Sequence, residues 1–414
     1  MSVTIVIGYD PLAVELCTSI QAGRSLFGEP LPLKKMSEAL TWTPAEIKEV
    51  LGKERARIVT AYYAVTPKGN FEGRNILHTP QSLTQVAADL KLRPEHVRAV
   101  IEESKEFLYQ ARAKRSAPLR DEKILTAWNG LMISAHAQAA FILGDSHYAD
   151  QAAQAADFVL TTLRKDGRLL RSYKDGHARY NGYLDDYVFL IAGLLDLYEA
   201  TGTLRWLQEA IALDKVLEAH YEDRQAGGFF MTSDDHEELL AREKPSSDGA
   251  EPSGNSVHAL NLLRLYEFTT EDRYRLRGEK TFRALSEIVT QAPTSASELL
   301  LAVDYSLDTP KEIIIVTPKS RTEAEPFLVR LRTTFLPNRI VAIAAEGEEL
   351  IAHAQFVPLL EYKIAQGGKA TAYVCEQRVC KLPTTDPAVF AQQISTVHPL
   401  STEEQTSRQE SEDK

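Results

Sequence analysis

The spacing of apolar residues divides the chain into regions of different period. Between residues 121 and 306, stretches that are apolar on nearly every helical position alternate with stretches that carry a single apolar stripe. Three segments can be laid over one another: WNGLMISAHAQAAFILGDSHYADQAAQAADFVL from Trp128, DYVFLIAGLLDLYEATGTLRWLQEAIALDKVL from Asp186, and GNSVHALNLLRLYEFTTEDRYRLRGEKTFRAL from Gly254. In each, an aromatic falls 20 residues after the start, at Tyr148, Trp206 and Tyr274. A helix apolar all round must be buried on all sides, whereas a helix with one apolar stripe lies outside it. Repeated pairs of this kind predict an inner and an outer ring of helices, an (α/α) barrel. The starts are 58 and 68 residues apart, longer than the roughly 34–47 residues of common two-helix repeats. The excess lies between each outer helix and the next inner one, in DGRLLRSYKDGHARYNGYLDD and AGGFFMTSDDHEELLAREKPSSDGAEPSGN. Alternation and glycine-bearing turns predict β-hairpins in both. Long insertions on one face of a repeat array form binding faces.

Outside the repeats the signals are shorter. Thr43, Pro44 and Glu46 make a capping box with proline at the first helical position, predicting a helix through about Leu51. Further helices are expected over 82–90, 95–114 and 295–306. From about residue 310 the period changes. EIIIVTP, RIVAIAA and TAYVCE read as short buried strands, with helices over 321–334 and 386–396, which gives a small α/β unit. The division expected is an N-terminal segment of uncertain role over 1–36, where VTIVIGYD reads as a short strand, a barrel over 37–309, an α/β unit over 310–398 and a disordered polar tail over 399–414.

Composition narrows the function. The chain has 414 residues and a formal net charge of −11. That balance argues against a nucleic-acid backbone or an anionic membrane as partner. No apolar run is long enough to span a bilayer, and the N-terminus lacks the basic region of a secretory signal. Three cysteines, Cys17, Cys375 and Cys380, are no disulfide framework, so the cytoplasm or an organelle interior is the expected location. Cys375 and Cys380 are spaced C-x4-C with no second pair to complete a zinc site. They read as a disulfide, as packing at a strand end, or as a facultative redox pair. No glycine-rich phosphate or dinucleotide loop is present, and no metal or cofactor is expected.

Candidate chemistry clusters where the repeats begin, because backbone N–H groups point outward at helix N-termini. At the first start, Trp128 offers an indole face for stacking and Asn129 a donor and an acceptor for hydroxyls; a buried indole and a capping Asn are the plain alternative. At the second start stand Tyr183, Asp185 and Asp186. Adjacent carboxylates repel and raise one pKa, which suits a general acid, while an N-cap role explains either one equally well. At the third start Asp248, Glu251 and Asn255 surround Ser253 and Gly254, a run that suits a tight ligand-facing loop or turn chemistry alone. Histidine is the natural acid–base group near neutral pH. His258 lies one turn into the third inner helix, His177 in the first insertion and His78 after GRNIL. His136, in mid-helix, reads as a core residue.

Several of these runs resemble one family. DEKILTAWNGLMISA (121–135), NGYLDDYVFLIAGLLDLYEAT (181–201), SDGAEPSGNSVHALNLLRL (247–265) and TAYVCEQRVC (371–380), with GNFEGRNILHTP (69–80), are similar to the thioredoxin-domain-containing family of the spermatogenesis-associated type, from about Met36 to about Ile394. The resemblance implies a mainly α fold: an (α/α)6 toroid, six-hairpin glycosidase-like, with β-hairpin insertions and the small C-terminal α/β unit. It also implies an N-terminal thioredoxin-like domain, for which this chain has neither the length ahead of the barrel nor a Cys-x-x-Cys motif. The function implied is that of a carbohydrate-active protein, a sugar hydrolase or an N-acylglucosamine 2-epimerase-like enzyme working by general acid–base chemistry on a sugar or glycan. Asp185 or Asp186 with Glu251 would serve hydrolysis, and His258 with a second histidine epimerisation. The alternative is a non-catalytic module that docks a thioredoxin-fold partner.

Overall fold

The computed structural model describes residues 39–116, 121–236 and 240–395. The expected strand within 1–36 and the expected disordered tail over 399–414 lie outside the described residues. The chain divides into two units, with the boundary between Glu122 and Lys123.

The N-terminal unit holds α1 (Pro44–Tyr62), α2 (Leu83–Leu90) and α3 (Pro94–Ala113). The capping box forms as read: the Thr43 hydroxyl accepts from the Glu46 N–H at 3.2 Å, and the Glu46 carboxylate accepts from the Thr43 N–H at 2.7 Å. The helix does not stop near Leu51. Gly52 takes φ 74° and ψ 170°, so the chain kinks there and then continues to Tyr62. Ile47, Val59, Val97 and Ile101 are the buried centre of this unit.

The second unit opens with β1 (Ile124–Leu125) and then repeats one motif three times. The pairs are α4 (Thr126–Leu143) with α5 (Ser146–Thr162), α6 (Leu184–Thr201) with α7 (Leu204–His220), and α8 (Gly254–Thr269) with α9 (Asp272–Ala284). The turns within the pairs fall at Gly144, Gly202 and Thr270, each in the left-handed region. As its composition predicts, α6 is buried on every side: Tyr187, Val188, Phe189, Leu190 and Ile191 are all sealed from solvent. Two glycines let α4 and α6 meet backbone to backbone. A Cβ on Gly130 would lie 2.5 Å from the Leu190 nitrogen, and one on Gly193 would lie 2.7 Å from the Gly130 carbonyl oxygen. After α10 (Ser286–Gln291), α11 (Ser297–Leu307) packs against α8. Inner helix, tight turn and outer helix, repeated with insertions between pairs, are the (α/α) hairpins read from the sequence.

The first insertion is a β-hairpin, as expected: β2 (Arg164–Lys165), β3 (Arg168–Lys174) and β4 (His177–Asn181), with β3 also pairing β1. The second insertion is not. Among its described residues there is one isolated bridge, Glu222 to Phe229, and otherwise irregular chain. The Phe230 and Met231 N–H groups reach the Tyr221 and Glu243 carbonyls at 2.9 and 2.8 Å without forming a ladder, and at Phe229 a side chain stands in for a strand partner. Asn255 Oδ1 accepts the Phe229 N–H at 2.7 Å, and its Nδ2 donates to the Phe229 and Pro245 carbonyls at 2.9 and 2.8 Å.

The C-terminal α/β portion forms as predicted. β5 (Lys311–Thr317) lies parallel to β6 (Arg339–Ala345) and antiparallel to β7 (Thr371–Glu376), which pairs β8 (Val379–Cys380). All residues of β5 are buried because both faces are covered. Ile314 and Val316 join the core of the helical hairpins. Ile313 and Ile315 pack with Phe327 and Leu331 of α12 (Glu325–Arg332) and with Phe390 of α14 (Pro387–Ile394). The short α13 (Glu348–Ala354) carries no signal noted in the sequence.

Candidate active site

At the start of α6 two adjacent carboxylates separate by function. Asp186 is sealed from solvent and works as a clamp: Oδ1 accepts the Ala127 N–H of α4 at 2.9 Å, and Oδ2 accepts the Tyr183 N–H at 2.8 Å. Burial pushes its carboxyl up to about 6, against the Arg171 guanidinium and the two N–H donors that pull it down. Asp185 points elsewhere, because consecutive helical residues diverge by about 100°. Its Oδ1 is buried, lies against Gly254 at the start of α8 and has no hydrogen-bond partner. Burial first, and then the Glu251 carboxylate, push Asp185 up to about 6, with Arg171 opposing.

Glu251, exposed in the loop before α8, accepts the Trp128 indole N–H at 2.5 Å. Trp128 is 50% exposed, and this bond fixes its indole N–H edge. The wall beside them is Tyr183. The Arg171 guanidinium lies 4.6 Å over its ring, and His236 stacks against it at 5.5 Å. His236 Nδ1 is held by the Ser233 hydroxyl at 2.6 Å. The sequence reading did not single out Arg171 or His236. Arg171 is one polar position in an alternating strand, and His236 sits in irregular chain, so neither carries a periodic signal.

The other expected site residues are occupied differently. Asn129 folds back to donate to the Leu125 carbonyl at 2.8 Å. Asp248 ties two helix entries together, accepting the Ser253 N–H and the Glu298 N–H at 2.8 Å each. Asn255 is spent on Phe229 and Pro245, as described above. His258, expected as an acid–base group, is sealed in the core, edge-on to Phe229 and 3.2 Å from Asp214. Arg277 holds the other Asp214 oxygen at 2.8 Å and Glu222 at 2.9 Å. His258 therefore belongs to a buried ion network joining α7, α8 and α9, and its pKa is lowered by burial, with Asp214 opposing. His177 is exposed at the tip of the β3–β4 hairpin, paired with Lys174 in the ladder. His78 is exposed in the N-terminal unit, its Nδ1 3.2 Å from the Asn70 amide. His136 packs edge-on to Tyr148. Cys375 and Cys380 face each other across β7 and β8 and are joined as a disulfide.

Among the described residues one group has metal-ligand spacing, His220 with Asp234 and Asp235. Its carboxylates already have partners. Asp234 pairs with His220 at 2.8 Å, and Asp235 makes a two-pronged pair with Arg168 at 2.9 and 3.1 Å.

The repeated hairpins, the insertions and the appended sheet define a mainly helical protein built of (α/α) hairpins with a small C-terminal α/β portion. No protein-family model matches the chain. Over 376 residues it is 32% identical to human spermatogenesis-associated protein 20, covering 84% of this chain and 48% of that protein. An uncharacterised protein of Caenorhabditis elegans is 28% identical over 367 residues, covering 83% of this chain and 49% of its own. The chain is homologous to the spermatogenesis-associated protein 20 family and spans about half the length of these relatives. Among solved structures, a cellobiose 2-epimerase of Bacillus thermoamylovorans is similar with a TM-score of 0.35 and 15% identity, covering 42% of this chain and 46% of that one.

Proposed function

We propose that the N-terminal ends of α4, α6 and α8 form an acid–base site for a hydroxylated, sugar-like ligand. Trp128 is its stacking wall, and Asp185 and Glu251 are its carboxyl pair. The observation that carries this reading is the Asp185 Oδ1, buried without a partner beside the Glu251 carboxylate. A buried acceptor left unpaired is costly unless a ligand group completes it. Two carboxyls in unlike surroundings are the usual way one site holds an acid and a base together. Asp185, held protonated up to about pH 6, is the general acid. Glu251, open to solvent and oriented by the Trp128 N–H, is the partner that activates water or attacks. This favours hydrolysis over epimerisation, because His258, the base expected for epimerisation, is sealed in the core.

The test is a thermal-shift screen of mono- and disaccharides, sugar acids and amino sugars. A ligand that binds only the folded chain raises Tm by mass action. A shift removed by both Trp128→Ala and Glu251→Gln supports the site. A flat panel, with capture of a purified thioredoxin-fold protein, replaces it with the docking-module reading.

A further inference from the structure

A second polar site lies at the other end of α8. That helix has 16 residues and is roughly 24 Å long, so its last turn is remote from Asp185 and Glu251. There Glu267 and Glu312 of β5 line an open cavity of about 650 Å³, whose wall also carries Tyr266, Tyr305, Arg275 and Arg378. The Glu267 and Glu312 carboxyls are within hydrogen-bonding distance of each other. Two carboxylates so placed cannot both ionise unless a cation joins them, so the empty pair shares a proton. Glu312 is 1% exposed and takes one further bond, from the Arg378 backbone N–H at 3.0 Å.

Neither arginine fills the place between the carboxyls. Arg275 is tied to Glu279 and Asp272. The Arg378 guanidinium lies over the Tyr266 ring at 4.9 Å and reaches the Thr270 carbonyl. The second, independent observation is Tyr305 of α11. It is 4% exposed, it lines the cavity within electrostatic reach of both glutamates, and its buried hydroxyl has no hydrogen-bond partner. A buried hydroxyl in that state is a vacant ligand contact.

We propose that this cavity binds a small primary ammonium compound, its nitrogen seated between Glu267 and Glu312 and within reach of the Tyr305 hydroxyl oxygen. An ammonium has three donors and no acceptor, which matches two carboxylates and one phenol oxygen. A divalent metal fits less well, because among the described residues no third His, Cys, Asp or Glu joins the pair at ligand spacing. Of the remaining charged wall groups, Arg275 pairs with Glu279 and Asp308 accepts from Asn338, while Arg378 offsets part of the charge of both glutamates. Because the ammonium replaces a shared proton, binding releases that proton. Burial first and Glu312 second push Glu267 up to about 8, so the release is close to complete at pH 7 and fades above pH 8.

The experiment is isothermal titration of the full chain with 1,4-diaminobutane, and with 1,4-butanediol as the neutral isostere. It is run at pH 7 and at pH 9, in buffers of different ionisation enthalpy. The diamine is expected to bind with release of about one proton per site at pH 7 and to bind more tightly at pH 9, and the diol not to bind. Glu267→Gln and Glu312→Gln each weaken binding at least tenfold, the loss of a charge-assisted hydrogen bond, and Tyr305→Phe weakens it severalfold. Trp128→Ala leaves it unchanged, which separates this site from the acid–base site. No diamine heat, equal binding of the diol, or binding retained in both glutamine variants overturns the proposal.

Discussion

Asp185→Asn is expected to make the protein more stable at neutral pH, and by an amount that depends on pH in a defined way. The ordinary carboxyl value of 3.8 rises to about 6 for Asp185 in the folded chain. That difference sets a bound of about 3 kcal/mol against the ionised form well above pH 6. The folded pKa lies above the unfolded one, so between these values the folded state holds more protons and stability falls as pH rises. Below about pH 4 both states are protonated and the penalty vanishes. Asparagine has the same shape and fits the same space against Gly254, but it carries no charge at any pH. Its amide inherits a place without a partner, which offsets part of the gain, so a net stabilisation on the order of 1–2 kcal/mol is expected at pH 8. For a unit of this size that is a rise of about 2–4 °C in Tm per kcal/mol. The assay is urea unfolding of both proteins at pH 4, 6 and 8, with the difference plotted against pH. It should be a loss of about 1 kcal/mol at pH 4, where the amide's missing partner outweighs the nearly vanished charge penalty, and it should cross to the full gain by pH 8. A variant still destabilised at pH 8, or a difference that does not change with pH, refutes the claim that Asp185 is a buried and unsatisfied carboxylate, and with it the basis for the acid–base site. The adjacent residue provides the opposite sign. Asp186→Ala leaves the Ala127 and Tyr183 N–H groups without acceptors, each worth about 1–3 kcal/mol. Together they outweigh the relief of removing a buried charge, so this variant is expected to be less stable at pH 8.

Three further outcomes follow from the packing. Gly193→Ala places a methyl 2.7 Å from the Gly130 carbonyl oxygen, where neither backbone can yield; denaturant unfolding should show a loss of about 1–3 kcal/mol, and an unchanged midpoint would mean α4 and α6 are not in close contact. Arg277→Met leaves Asp214 buried beside His258 without its guanidinium partner, and the same measurement should show a loss of about 3–5 kcal/mol. Trp128→Phe removes only the Glu251 hydrogen bond and half-exposed ring area, so stability should change by no more than about 1 kcal/mol while any sugar-induced Tm shift falls; a large loss of stability would make Trp128 a structural residue.

The helices were legible because their signal is local. Periodicity over one helix decides burial, and the aromatics at Tyr148, Trp206 and Tyr274 mark where each outer helix begins against its inner one. The site was legible only as a neighbourhood. Asp185 and Asp186 are chemically equivalent in a sequence, and what separates them is which backbone N–H groups the fold brings within reach. Two donors claim Asp186, and Gly254 with Glu251 crowd Asp185. The second insertion has the alternation of a hairpin, yet at Phe229 it is the Asn255 side chain that supplies the hydrogen bonds a partner strand would have supplied. No alternation pattern records that substitution of side chain for backbone. Glu267 and Glu312 lie 45 residues apart, each inside an apolar element, where a lone glutamate reads as a solvated exception. Only the placement of β5 beside the last turn of α8 turns two exceptions into one pair. The groups with the strongest chemistry here are therefore those whose meaning comes from a neighbour distant in sequence, and the unpaired Asp185 oxygen and the unpaired Tyr305 hydroxyl are where that meaning is open to direct test.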